Sequence, residues 1–189
     1  MLASGSGTAL EAIINAIVAR VLDIRVVIVI SDKSDAYALR RAEFAGMGKY
    51  VLQKATAEER DEELVEVLEK ADIDLVVLAD YLKPIGPKVL DKFSIINTHP
   101  SLLPKYGGKG MYGMHVHQAV VDNCEEESGV TLHFVDSEYN KGPVIWQTHV
   151  PVYPEDTAED VSIRVQAAEG TQIVSILKAF SEGKIDIPK

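Results

Sequence analysis

The chain has 189 residues, 47% of them hydrophobic and 25% charged, which suits the core of one globular domain spanning 1–189. A formal net charge of −10 supplies no global positive field, so a nucleic-acid partner is disfavoured. One cysteine, Cys124, excludes an internal disulfide framework and fits an intracellular, cytoplasmic protein; no apolar run is long enough to cross a membrane and no charged-then-apolar leader opens the sequence.

Taken in chain order, the segments alternate. Thr8 to Val21 carries Leu10, Ile13, Ile14, Ile17, Val18 and Val21 at helical spacing. Ile24 to Ser31, IRVVIVIS, is β-branched nearly throughout and reads as a strand buried on both faces. Ala36 to Ala45 reads as a helix stopped by Gly46, and YVLQ as a short strand. Ala57 to Lys70 is a charged helix with Leu64, Val67 and Leu68 inward; DLVVLA and SIINT are the next strands. Beyond them SGVTLHFV and PVIWQTHVPV form a hairpin around DSEYNKG, and Asp156 to Gly183 carries Ile173, Ile176, Leu177 and Phe180 at helical spacing. The pattern predicts a doubly wound, mostly parallel α/β sheet with an antiparallel C-terminal hairpin and a closing helix. Only Met1-Leu2-Ala3 stands where its first strand belongs, so that strand is very short or lacks a few native residues.

SGSGT (Ser4 to Thr8) lies between strand and helix. Its glycines and hydroxyls suit a phosphate cradle at a helix N-terminus, or simply a tight turn with a hydroxyl cap. Asn97 and His99, two apart at a strand end, face the same way, into the crevice where α/β sheets hold ligands. The amide suits a carbonyl oxygen gaining charge and the imidazole suits proton transfer; the alternative is a polar strand end satisfied by loop backbone. His115 and His117, at the start of a helix without a supporting Cys or carboxylate cluster, read as structural or surface residues, and His133 as a neighbour of the His99 crevice. Asp61-Glu62-Glu63 reads as a solvated helix face.

INTHPSLLPKYGGKGMYG and SGVTLHFVDSEYNKGPVIWQ, with SGSGT, LVVLADYLK, ISDKSDAYALRRA and VPVYPEDTAEDVSIRVQAAE, resemble the phosphoribosylglycinamide formyltransferases, a branch of the folate-dependent formyltransferases, over nearly the whole chain. The resemblance implies a Rossmann-like fold and transfer of a formyl group from 10-formyltetrahydrofolate, as co-substrate, to the amine of glycinamide ribonucleotide. It implies no metal, small-molecule partners only, no membrane, and a monomer or homodimer. Ser6, Gly7, Thr8 and Ala9 fall at the ribonucleotide phosphate and Glu169 at its ribose. Tyr81, Leu82, Lys83, Pro84 and Ile85, with Asn97, Asp136 and Tyr139, fall around the folate. By the same resemblance Asn97 is expected to bind the formyl oxygen and His99 to transfer the proton, with Asn140 at the third catalytic position.

Four residues depart from the family pattern. Asn140 replaces an aspartate that raises the histidine's pKa, and Ala9 an asparagine beside the phosphate. Asp80 replaces a glycine before the folate loop, and Gly170 a histidine, which also weakens the closing helix. Lys54, Arg60 and Lys83 are the basic candidates for the folate tail. The alternatives are a catalytically impaired relative that binds ribonucleotide or folate, and a formyltransferase for another amine such as an amino sugar.

Overall fold

A computed structural model describes residues 1–188. In it β1 (Ile28–Ser31) pairs in parallel with β2 (Gly48–Val51), and β3 (Val76–Leu78) in parallel with β4 (Ile95–His99). Leu2 bridges the two pairs, parallel to Ile30 on one side and to Leu78 on the other. The very short first strand expected from the sequence is therefore present as this bridge at the centre of the sheet. Beyond β4 the sheet turns antiparallel through β5 (Glu127–Phe134) and β6 (Val144–Pro151).

Alternate residues of β3 enter different cores, which is why its sequence is continuously apolar. Val76 and Leu78 pack with Leu2, Leu64, Leu68 and Ile95 beneath α3 (Ala57–Lys70). Val77 and Ala79 pack with Ala9 and Ile13 of α1 (Thr8–Val18) and with Ile173 and Leu177 of α6 (Ala158–Ser181). The remaining helices are α2 (Tyr37–Phe44), α4 (Pro87–Leu90) and α5 (Met114–Asp122).

Several boundaries differ from the periodic reading. The first helix stops at Val18 because Arg20 turns left-handed (φ 59) and the Val21 N–H returns to the Ala16 carbonyl. β2 is Gly48–Val51 rather than YVLQ: the Gln53 and Lys54 N–H groups leave the sheet to bond the Glu63 carboxylate at 2.9 and 3.1 Å. The closing helix starts at Ala158, behind a capping box of Thr157 and Asp160. Gly170 has a packing reason, since a Cβ there would press to 3.1 Å from the Ala12 Cβ where α6 crosses α1.

The reading of Asp61 and Glu63 as a solvated face is overturned. Both are buried, and each serves the backbone of another segment. Asp61 accepts from the Gly86 and Lys88 N–H groups at 3.0 and 2.9 Å, capping α4. Glu63 accepts from Gln53, Lys54 and the Tyr50 hydroxyl. Glu63→Ala leaves these donors unmatched and is expected to cost about 2–3 kcal/mol, read as a lowered midpoint in urea unfolding; Glu62→Ala, on the exposed side of the same turn, should change it little.

Candidate active site

β4 carries Asn97 and His99 out of the core on one face, and the antiparallel partner sets His133 directly opposite Asn97. Asn97 Nδ2 donates to His133 Nε2 at 3.1 Å, and His133 Nδ1–H donates to the Phe134 carbonyl at 2.7 Å. That arrangement requires a neutral imidazole whose Nε2 is the acceptor. His99 is 4% exposed, and its Nε2–H donates to the Tyr106 carbonyl at 2.8 Å. Its Nδ1 is left as the basic nitrogen.

The turn after His99 is pinned by one buried hydroxyl. Thr131 Oγ1 donates to the Ser101 carbonyl at 2.7 Å and accepts from the Leu103 N–H at 3.0 Å and Gln147 Nε2 at 2.8 Å. Pro100 and Pro104 remove freedom from the same turn.

These groups open on a cavity of about 280 Å³ at the carboxyl ends of β3 and β4. Its wall includes Ser6 and Thr8 from the first loop, Tyr81 through Ile85 after β3, and Asn97 and His99. His133, Asp136, Tyr139 and Asn140 come from the hairpin, and Glu169 from α6. Of the residues expected at the two substrates, Gly7 and Ala9 stand apart from this wall, as do the folate-tail candidates Lys54 and Arg60. Gly7 is left-handed (φ 70), and a Cβ on it would come within 2.8 Å of the Ala38 Cβ, so its place is set by the turn and by α2. Ala9 is 3% exposed and packs in the core beneath α6, so its side chain lies away from the cavity.

Asn140 is left-handed (φ 57). Its Oδ1 accepts from the Gly108 N–H at 3.1 Å, and its Nδ2 lies 3.5 Å from His133 Nε2. Its hydrogen-bond partners are thus Gly108 and His133 rather than His99. Burial lowers the pKa of His99 against the pull of the Tyr106 carbonyl, and His133 lowers it further. Burial also lowers His133. Glu169 accepts from the Thr98 hydroxyl; burial raises its pKa, the Thr98 bond opposes, and the Asp80 charge adds to the rise.

Three features escaped the sequence reading. Ser4 Oγ donates to Asp32 Oδ1 at 2.6 Å and accepts from the Leu82 N–H at 3.0 Å, tying the first loop to the loop after β3. Ser162 and Gln166 line the cavity beside the expected Glu169, and the i, i+4, i+7 spacing of the three in a helix is the signal that could have found the first two. His117 is 3% exposed on the cavity wall with its Nδ1 unpartnered, and burial lowers its pKa to about 4.

Residues 1–177 match the formyl transferase family, and the chain belongs to it. It is 36% identical to the phosphoribosylglycinamide formyltransferase of Haemophilus influenzae, over 98% of this chain and 87% of that one. The Escherichia coli protein of the same name is 35% identical over the same shares. Among solved structures, glycinamide ribonucleotide transformylase 1 from Symbiobacterium toebii aligns with a TM-score of 0.91 at 35% identity, over 99% of this chain and 88% of that one.

His117 carries a stability consequence of definite sign. Its folded pKa lies below the ordinary 6.5, so the unfolded chain binds the proton more readily, and its contribution is full above pH 6.5 and is lost as pH falls to about 4. His117→Gln is expected to flatten the fall in urea midpoint over that window; an unchanged slope would place the acid sensitivity elsewhere.

Proposed function

We propose that this protein transfers a formyl group from 10-formyltetrahydrofolate to the amine of glycinamide ribonucleotide, a step of de novo purine synthesis, and that it does so as one domain in the cytoplasm. The observation that carries this reading is the alignment of Asn97, His99 and His133 in one cavity with the Ser6–Thr8 loop, in a chain of the formyl transferase family.

The chain's residues fit both substrates. Thr8 opens α1, and the first intrahelical bond runs from Glu11 N–H to the Gly7 carbonyl, so the preceding N–H groups remain for an anion. Gln166 and Glu169 face the same space and offer partners to sugar hydroxyls. On the other side, the backbone groups of Lys83 and Ile85 have no partner within the described residues while their segment lines the cavity. Open donors and acceptors on a constrained loop suit the edge of a pterin. Lys83 is the basic residue of that stretch and the one of the three candidates on the cavity wall, suited to a carboxylate of the folate tail.

The folate supplies an activated one-carbon unit; the residues supply geometry and protons. Asn97 has one amide hydrogen committed to His133, and its other donor is available to the formyl oxygen as charge builds there. His99, anchored through Nε2, presents Nδ1 to accept the proton released by the attacking amine and return it to the departing folate nitrogen. Holding the pair on a pinned turn spends little entropy in reaching that alignment.

Purified protein with both substrates should show formyl transfer, and measurable ligand binding without transfer would overturn the reading. His99→Ala is expected to lower kcat by about 10²- to 10⁴-fold. Asn140→Asp places a carboxylate beside His133 and raises the imidazole pKa values. It should raise kcat by about tenfold and move the acid limb of the pH–rate profile upward by about one unit; an unchanged profile would show that no charge is wanted there.

A further inference from the structure

Asp80 lies where the two halves of the sheet part company. Its carbonyl accepts from the Ser4 N–H at 2.9 Å, so it sits level with the first loop, two residues beyond the end of β3. The connection from the Leu2 segment leads away to β1 and that from β2 returns to β3, so the crevice between Ser4 and Asp80 is the topological switch point of the sheet.

Asp80 takes a left-handed backbone (φ 56). Its carboxylate lies flat against Gly5, close enough that a Cβ on Gly5 would overlap Asp80 Oδ2. No hydrogen bond or ion pair engages that carboxylate among the described residues. Burial raises its pKa, Lys33 is the cation that opposes that rise, and Glu169 faces it across the cavity. The nearby Arg41 is committed elsewhere, in an ion pair with Glu11 and a bond to the Ser6 carbonyl at 2.9 Å. The cavity wall as a whole carries Asp80, Asp136, Glu138 and Glu169 against one basic side chain, Lys83.

We propose that Asp80 sets the affinity of the first loop for a phosphorylated substrate: its unpaired carboxylate opposes the phosphate and holds the ribonucleotide weakly. This rests on the function proposed above and adds a specificity-determining residue to it. A phosphate beside Ser6 and Thr8 meets neutral donors and a helix N-terminus on one side and a fixed negative charge on the other. Across a half-solvated gap such a charge is worth about a tenfold change in binding.

The test is steady-state formyl transfer by the full chain and by Asp80→Asn and Asp80→Gly, both of which tolerate a left-handed backbone. The expected result is a KM for the ribonucleotide about tenfold lower in both variants, with kcat and the folate KM within about twofold. The gain should shrink at high ionic strength and vanish for a substrate analogue lacking the phosphate. A gain in Asp80→Gly alone assigns the effect to bulk and overturns the proposal; a higher KM in Asp80→Asn makes the carboxylate a hydroxyl or amine acceptor and overturns it equally. Transfer with unchanged KM overturns this inference alone, whereas no transfer by any of the three proteins overturns the functional reading and this inference with it.

Discussion

The structure depends on a bridge one residue wide. Leu2 is fully buried, with its N–H on the Val77 carbonyl at 2.8 Å and its carbonyl accepting from Ala79 at 3.2 Å. On the opposite side Ala3 N–H reaches the Ile30 carbonyl at 3.0 Å. Without it β1–β2 and β3–β6 are separate sheets with exposed edges, and a parallel pair cannot stand with an unsatisfied flank. The same bridge creates the crevice, because the chain leaves Leu2 toward β1 and comes back on its other side as β3. Ser4, Gly5 and Asp80 are the residues that must line the gap.

Inside that crevice the electrostatics favour neutrality. Burial moves His99, His117 and His133 toward their uncharged forms and moves Glu169 toward its own. The working groups are consequently dipoles: an amide, imidazoles and backbone N–H groups, each oriented by a second bond. Asn97 is aimed by His133, His133 by the Phe134 carbonyl, and His99 by the Tyr106 carbonyl. Oriented dipoles need no reorganisation when charge develops on a reacting atom, so the site suits acyl transfer to an uncharged amine.

What was legible in the sequence follows from how local each signal is. The sequence and the structure agree on α3 to the residue, Ala57–Lys70, because a helical stripe is a short-range signal. The Asn97–His99 projection was legible because strand alternation is geometric. The role of His133 needed the pairing register, which sets it opposite Asn97 across 36 positions. Asp61 and Glu63 look like any acidic turn of a helix; the backbone N–H groups they accept from lie 25 to 27 and 9 to 10 residues away, which no side-chain pattern advertises. Of the two readings open for His117, structural or surface, its burial on the inner side of α5 selects the structural one, a choice that only the packing of that helix makes.

The substitution at position 140 can be separated into a part the fold feels and a part it does not. The left-handed backbone there admits asparagine and aspartate alike, and the Oδ1 that holds Gly108 N–H is present in both side chains. Replacing one by the other leaves the loop's geometry and its tie to the glycine-rich turn in place. Only the charge changes. A carboxylate would accept a proton-bearing His133 Nε2, favouring imidazolium, whereas the amide present can only donate to Nε2 or stand beside it, favouring the neutral ring. The consequence of Asn140 therefore lies in the protonation of the imidazoles at this end of the cavity, and not in whether the site assembles.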